Sequence, residues 1–221
     1  MAINSARGNF GSGREMYIFK VPGSETILQG DINHDGRIDM DDFTSYMNYT
    51  GLRAGDSDFD GYISGGDINK NGLIDAFDIS NVGVMTRGGA STRGMGTLSG
   101  KLELIVPKSI RKGEEVKVIV RGTDLNEVNA WSVAIPYDPN MLTYVNTTTI
   151  GNKEMENLTY DRLHKNGVKA LYPTFVNTGN KTTLHGTGTL VEITFVARQS
   201  GELNLEMLDA MLVDKKLNTI E

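Results

Sequence analysis

The chain has 221 residues, of which 38% are hydrophobic, and this is enough for one or two domains with real cores. It contains no cysteine, which excludes disulfide bonds and thiolate metal sites. The net charge of −6 comes without a basic stripe, and no apolar run approaches about eighteen residues, so neither nucleic-acid binding nor a membrane span is predicted.

The first segment, residues 1–28, is predicted to be the tail of a preceding module. It lacks the charged start and the apolar core of a signal peptide. Residues 16–21 have the composition of a last strand of that module. We therefore expect the chain to be the C-terminal part of a larger protein.

Two twelve-residue stretches, 31–42 and 67–78, have the pattern of calcium-binding loops. Each carries an oxygen-bearing side chain at positions 1, 3, 5, 9 and 12 and a glycine at position 6, and position 7 would donate its backbone carbonyl. Calcium prefers about six to eight oxygen ligands on a sharply turning loop. The predicted ligands are Asp31, Asn33, Asp35, Arg37 (backbone O), Asp39 and Asp42 in the first loop, and Asp67, Asn69, Asn71, Leu73 (backbone O), Asp75 and Asp78 in the second.

A third candidate loop, residues 56–67, lies between these two. Its predicted ligands are Asp56, Asp58, Asp60, Tyr62 (backbone O), Ser64 and Asp67. Asp67 would then bridge two cations, which the two oxygens of a carboxylate permit. The alternative is a structured acidic linker without an ion. The sequence therefore predicts two calcium ions, with this stretch as a candidate for a third.

Each of the two principal loops is followed by apolar residues at helical spacing, which predicts helices over 42–49 and 78–85. Glycine precedes each loop, at Gly30 and at Gly65 and Gly66, so no helix enters it. The repeated unit is thus a loop followed by a helix, rather than the helix–loop–helix of an EF-hand. A duplicated loop–helix pair beginning Gly-Asp-Ile-Asn resembles a type I-like dockerin, and the resemblance covers residues 29–88.

The resemblance to a dockerin implies a protein-binding surface on the exposed faces of the two helices, which calcium would hold in place. The implied partner is the flat sheet face of a cohesin. The matching residues in this sequence are Met40, Asp41, Thr44, Ser45, Met47 and Asn48 from the first helix, and Ala76, Phe77, Ser80, Asn81, Val84 and Met85 from the second. The alternative is that the Met and Phe side chains fill the core of the small module.

Residues 89–96, rich in glycine and polar residues, are predicted to form a linker, and a different pattern follows over residues 97–221. Alternating or continuous apolar runs, separated by Gly, Asn and Asp, predict the strands of an all-β sandwich. The runs lie at residues 101–106, 115–121, 130–137, 168–172, 190–196 and 202–207. The predicted fold is multi-domain, with a small all-α calcium-binding loop–helix duplication followed by an all-β jelly-roll sandwich.

The second module resembles a cohesin. The resemblance rests on residues 112–118, on a strand that ends in Tyr137-Asp138-Pro139 and is followed by a leucine, and on residues 190–195. Together the two resemblances imply a non-catalytic, calcium-dependent protein–protein interaction region. Such a region would assemble or anchor a larger secreted bacterial carbohydrate-active enzyme, for example a glycoside hydrolase. The implied location is extracellular, periplasmic or at the cell surface.

Other functions have weaker support in the sequence. No catalytic motif occurs, and His164 and His185 have no His or Cys partner at ligand spacing, so the chain is predicted not to be an enzyme. An alternative is a carbohydrate-binding or spacer sandwich beside a calcium-stabilised structural module. The aromatic residues available for sugar binding are Trp131, Tyr137, Tyr144, Tyr160 and Tyr172. The protein partner could lie in the same chain (in cis) or on another (in trans), and carbohydrate would be reached through the parent protein.

Overall fold

The computed structural model describes residues 28–59, 63–86, 96–179 and 181–221. The predicted tail, with its strand over 16–21, lies outside the described residues except for Leu28. The predicted linker also lies outside them, except for Gly96. Each principal loop leads into a helix, α1 (Met40–Tyr46) and α2 (Ala76–Met85), with a 3-10 turn at Ile63–Gly65 between them.

Both helices begin two residues earlier than predicted. The cause is a capping box at position 9 of each loop, in which Asp39 and Asp75 are the N-caps. The Asp75 carboxylate accepts the N–H of Phe77 at 2.7 Å, and the Asp78 carboxylate accepts the N–H of Asp75 at 3.0 Å. Because the cap side chains satisfy free N–H groups of the first turn, the last loop residues become helical. The first helix ends at Tyr46 rather than at residue 49.

The two loop–helix units pack on each other around a shared core. Ile32, Phe43, Tyr46, Ile74 and Ile79 are buried there. The segment after α1 pairs with the second loop, since the N–H of residue 51 donates to the carbonyl of residue 74 at 2.9 Å and the N–H of residue 74 donates to the carbonyl of residue 52 at 3.0 Å. This pairing ties the first half of the module to the second.

Thirteen strands lie in the described part of the second module. They are β1 (Ser99–Ile105), β2 (Ser109–Ile110), β3 (Glu115–Val128), β4 (Ala130–Pro136), β5 (Leu142–Thr149), β6 (Glu156–Asn157), β7 (Tyr160–Leu163), β8 (Lys169–Tyr172), β9 (Thr174–Val176), β10 (Leu184–Ala197), β11 (Gly201–Glu202), β12 (Leu208–Val213) and β13 (Thr219–Ile220). One antiparallel sheet has the order β1-β3-β10-β5, and a second has the order β13-β12-β4-β8-β7, with β9 pairing β4 and β6. Strands β2 and β11 form a separate two-stranded sheet. The predicted β-sandwich is confirmed, and two short helices accompany it.

The sandwich core lies between the two sheets. Trp131 and Phe175 are stacked at its centre with ring centroids 4.7 Å apart, and both are fully buried. Val118 and Ile193 from the opposite sheet lie in the same cluster. Trp131 on β4 and Phe175 on β9 are cross-strand partners in one sheet, so their stacking adds to the stabilisation from burial and links these two strands.

Candidate interaction face and calcium loops

The first loop is held by hydrogen bonds from its own backbone to its acidic and amide side chains. The Asp31 carboxylate accepts the N–H of Asp35 at 3.1 Å and the N–H of Gly36 at 2.9 Å. Asn33 Oδ1 accepts the N–H of Asp35 at 3.0 Å, and Asp35 Oδ1 accepts the N–H of Arg37 at 2.9 Å. The side chains at positions 1, 3 and 5 therefore all point into the turn.

The second loop repeats this arrangement position by position. Asp67 accepts the N–H groups of Asn71 and Gly72 at 3.1 and 2.8 Å. Asn69 Oδ1 accepts the N–H of Asn71 at 3.2 Å, and Asn71 Oδ1 accepts the N–H of Leu73 at 2.9 Å. The two loops thus share one backbone path, as their common sequence pattern predicts.

The sharp turn in each loop has a clear backbone cause. His34 and Lys70, at position 4, have φ of 58° and 60°, and Gly36 and Gly72, at position 6, have φ of 85° and 80°. Residues with a side chain rarely adopt a positive φ. Glycine at position 6 therefore avoids backbone strain at the second of the two positive-φ positions in each loop.

The carboxylates at the end of the loops are buried. Burial raises the pKa of Asp78 well above its usual range, and the neighbouring charge of Asp75 raises it further. Burial also raises the pKa of Asp75, and that of Asp42 in the first loop. Buried carboxylates without a cation favour the protonated form, and a bound divalent cation would favour the charged form instead.

The donors of both loops fit calcium in type, because they are carboxylate, carboxamide and backbone oxygens without nitrogen or sulfur. Among the described residues, however, no three Asp, Glu, His or Cys side chains come together as a metal-ligand cluster. The donor side chains accept backbone N–H groups, and in the second loop Asn71 also donates to Asp75 at 2.8 Å. To bind one ion, these side chains would have to rotate toward a common centre.

The third candidate loop has a different setting. Asp56 Oδ2 accepts the N–H of Arg53 at 3.0 Å and lies 2.7 Å from His164 Nδ1, while Asp56 Oδ1 accepts the N–H of Lys165 at 3.0 Å. Burial alone would raise the pKa of Asp56, but these hydrogen bonds lower it overall. Asp58 is exposed, and residues 60–62 and the side chain at position 64 lie outside what the structure describes. A third calcium here stays a prediction.

The outer face of the second sheet is covered by the loop–helix module. On β4, Trp131 and Val133 point into the sandwich core, while Ala130, Ser132 and Ala134 point to the other side, and all five are buried. A strand that is buried on both faces has a near-continuous run of small and apolar residues rather than an alternating pattern. This explains the sequence of β4.

Helix α2 and the second loop lie against this outer face. The N–H of Ala76 donates to Ser132 Oγ at 3.3 Å, and Leu73 packs with Ala134 and Tyr172. The sandwich residues that share a buried cluster with the loop–helix module are Ala130, Leu158, Val176, Met211 and Val213. Small side chains on the sheet allow the helix to approach closely.

A series of hydrogen-bonded polar side chains crosses the contact between the loop–helix module and the sandwich. Arg53 Nε donates to Tyr172 Oη at 2.9 Å, and Tyr172 Oη lies 2.7 Å from Nε2 of His164, whose other nitrogen faces Asp56. Arg53 also forms an ion pair with Asp209. Asp56 and His164 are 8% and 6% exposed, and each is bonded by the other across the contact between the modules.

A second arginine lies at the end of α1. Arg162 donates from Nε to the carbonyl of Thr50 at 3.0 Å and from Nη2 to the carbonyls of Asn48 and Thr50 at 2.8 Å each. Its guanidinium also lies 4.2 Å from the ring centroid of Tyr160. Asn48 and Thr50 follow the C-cap Met47, so the planar guanidinium bonds two carbonyls of the turn after α1 at once.

The residues predicted to bind a partner separate into two groups. From α1, Met40, Asp41, Thr44, Met47 and Asn48 are exposed and Ser45 is half-buried. From α2, Ala76 and Ser80 are buried, Phe77, Asn81 and Val84 are half-buried, and Met85 is exposed. The structure thus places part of the predicted α2 surface against the sheet of its own chain.

Sequence reasoning did not find Arg53, Arg162, His164 or Tyr172 as contact residues. His164 lies 108 residues from Asp56, and no local motif links them. The only available signal was the unbroken run of small and apolar residues on β4, which indicates that something covers its outer face.

The aromatic residues considered for sugar binding are mostly unavailable for it. Trp131 is fully buried, and Tyr137 and Tyr172 are 8% and 3% exposed. Only Tyr160, at 38%, is among the exposed large side chains, and Arg162 covers its ring. The described aromatic residues therefore form no flat exposed platform.

The second module is a β-sandwich of antiparallel sheets around one core. Residues 101–219, more than half of the chain, match the cohesin domain family. The chain belongs to the cohesin family. Cohesin domains are non-catalytic interaction modules that bind dockerins.

Solved cohesin structures resemble this chain at low sequence identity. One is a cohesin module from a family 33 glycoside hydrolase of Clostridium perfringens, with 19% identity, a TM-score of 0.45, and coverage of 56% of this chain and 89% of that one. A type II cohesin from the cellulosome of Acetivibrio cellulolyticus has 14% identity, a TM-score of 0.44, and coverage of 55% and 88%. A non-cellulosomal cohesin from Archaeoglobus fulgidus has 16% identity, a TM-score of 0.40, and coverage of 55% and 83%. No curated protein matches the chain.

In the part of the chain that the structure describes, no helix has the length and apolar character needed to cross a membrane.

Proposed function

We propose that this chain is a non-catalytic, calcium-dependent protein–protein interaction region in which a dockerin-like module, residues 29–88, precedes the cohesin. It assembles or anchors a larger secreted bacterial carbohydrate-active enzyme outside the cytoplasm. The observation that carries the calcium part of this proposal is the repeated hydrogen-bond pattern of the two loops. The two loops, which begin 36 residues apart, have the same order of oxygen-bearing side chains, the same turn and the same capping box at the start of the helix.

In this proposal calcium has a structural role. The residues at positions 9 and 12 of each loop are both predicted calcium ligands and parts of the capping box that begins the helix. An ion bound by Asp75 and Asp78 would fix the start of α2, and an ion bound by Asp39 and Asp42 would fix the start of α1. Loss of the ion would loosen both helices, because metal binding and folding of small modules are coupled.

The test is a calorimetric titration of calcium into the whole chain and into single variants. The wild-type chain should bind two ions, whereas Asp31→Ala and Asp67→Ala should each bind one fewer. Asp41→Ala is the matched control, because Asp41 carries the same charge in the first loop but occupies a position that is not a ligand position. Unchanged stoichiometry in both ligand variants would contradict the proposal.

The same titration separates two ions from three. A wild-type chain that binds three ions, and an Asp67→Ala variant that loses two of them, would support the third candidate loop. Stoichiometry of two, with a loss of one in Asp67→Ala, would limit the sites to the two principal loops.

A further inference from the structure

We propose that the two modules of this chain bind each other in cis, so that the loop–helix module closes the outer face of its own cohesin sheet and any partner that uses this face must displace it. Arg53, Asp56 and Arg162 hold the module in place. The inference goes beyond the proposed function, since it concerns which surface is free in the resting chain.

The composition of the sheet face is the first argument. Ala134, Ala170, Val176, Met211 and Val213 are each at most 4% exposed, and all belong to clusters shared with residues of the loop–helix module. Without the module they would form a contiguous apolar patch on the surface of the sandwich. Contiguous exposed apolar patches of this kind mark interaction sites in soluble proteins.

The closeness of the backbone approach is the second argument. A Cβ atom at Gly51, which has a φ of 76°, would lie 2.2 Å from Cδ2 of Tyr172. The loop–helix module therefore touches the sheet with its backbone, at a position where no other residue fits. A loose association between two modules would not require such a fit.

Hydrogen bonding is the third argument. Arg162 donates to two backbone carbonyls of the loop–helix module, and the His164 ring and the backbone N–H of Lys165 both bond Asp56. Both oxygens of Asp56 are bonded across the contact, although the sequence pattern alone made Asp56 a calcium ligand. Buried polar groups that are fully paired across a contact specify one arrangement of the two surfaces.

Adjacent positions on β4 provide a direct test. The chain has no cysteine, so an introduced one is its only thiol. Ala134→Cys places the thiol under the loop–helix module, and Val133→Cys places it in the sandwich core. Both positions are 1% exposed, and only the first depends on docking. Thr143→Cys, exposed on β5, gives the rate of an unprotected thiol.

In the whole chain with calcium present, Cys at position 134 should react with a thiol reagent far more slowly than Cys at position 143. Adding Arg162→Ala and Arg53→Ala should raise its rate by about tenfold or more, since each removes charge-assisted hydrogen bonds across the contact. Arg121→Ala, on the opposite sheet, should leave it unchanged. Slow labelling at position 133 in every variant shows that the sandwich itself remains folded.

Labelling at position 134 as fast as at position 143 in the chain without the arginine substitutions would overturn the proposal, since the modules would then be undocked. Slow labelling at position 134 when both arginines are replaced would contradict the role given to Arg53 and Arg162, since those residues would then not hold the module. Repeating the experiment in EDTA separates this proposal from the calcium proposal. Protection that is equal with and without calcium leaves docking intact and contradicts only the calcium requirement.

Discussion

The ring of Tyr172 on β8 lies directly against Gly51, so that a Cβ atom at this glycine would be 2.2 Å from Cδ2 of the ring. The two residues are brought together by the contact between the loop–helix module and the cohesin sandwich. Their separation along the chain is large, and the contact therefore reports on docking rather than on local structure.

Gly51→Ala is expected to lower the free energy of unfolding by about 2 kcal/mol or more, because it adds both a clash and backbone strain. Gly55→Ala is the matched control, since Gly55 has a φ of 95° and nothing within 4 Å of an added Cβ. Denaturant unfolding gives the loss of unfolding free energy in each variant, and the difference between the two losses is the cost of the clash with Tyr172. Equal losses in the two variants would mean that Tyr172 does not lie against Gly51 in solution.

Removal of calcium is expected to destabilise the loop–helix module. An ion at about a thousand times its dissociation constant adds roughly 4 kcal/mol to the folded state. Helical circular dichroism and the melting temperature of the whole chain should therefore fall in EDTA and recover on addition of calcium. Identical melting curves in calcium and EDTA would contradict a structural role for the ion.

In EDTA, the stability of the loop–helix module should rise as the pH is lowered from 7 to about 5. Burial raises the pKa of Asp75 to about 6, and it also raises the pKa of Asp78 above its usual range. A carboxyl with a raised folded-state pKa stabilises the folded state below its unfolded pKa, and this stability is lost as the pH rises through the folded pKa. Asp56, with its lowered pKa, acts in the opposite direction only below about pH 4.

Melting temperatures measured at several pH values in EDTA check this prediction, and Asp75→Asn together with Asp78→Asn is the relevant variant. Its melting temperature should vary less between pH 5 and 7 than that of the wild-type chain. A wild-type module that becomes less stable on acidification to pH 5 in EDTA would contradict the raised pKa values.

The single tryptophan should report a core environment rather than a sugar platform. Trp131 is fully buried and stacked on Phe175, so its emission should be blue-shifted and poorly quenched by acrylamide. Addition of oligosaccharides should leave the emission unchanged. A solvent-like emission maximum that shifts on glycan addition would support the carbohydrate-binding alternative instead.

Much of the fold could be predicted from sequence because its signals are local. The two loops follow from donor spacing and from glycine at position 6, and the sandwich follows from its apolar runs and turn residues. The apolar spacing alone predicts helix starts that are two residues late, because Asp39 and Asp75 are N-caps as well as predicted calcium ligands.

The contact between the modules could not be predicted in the same way. Asp56 fits position 1 of a calcium loop, and nothing near it in sequence indicates a partner more than a hundred residues away. Arg162 and His164 are ordinary polar residues of a strand and its end until the fold brings them to the end of α1 and to Asp56. Long-range pairing of this kind depends on tertiary packing, which sequence periodicity does not encode.

Docking in cis is tested most directly by a distance measurement between spin labels on the two modules. Thr44→Cys on α1 and Leu163→Cys on β7 are exposed positions for the labels. We predict one narrow distance distribution in calcium, unchanged when the labelled chain is diluted with unlabelled chain. A broad distribution would contradict docking, and a distance that disappears on dilution would show that the modules join different chains.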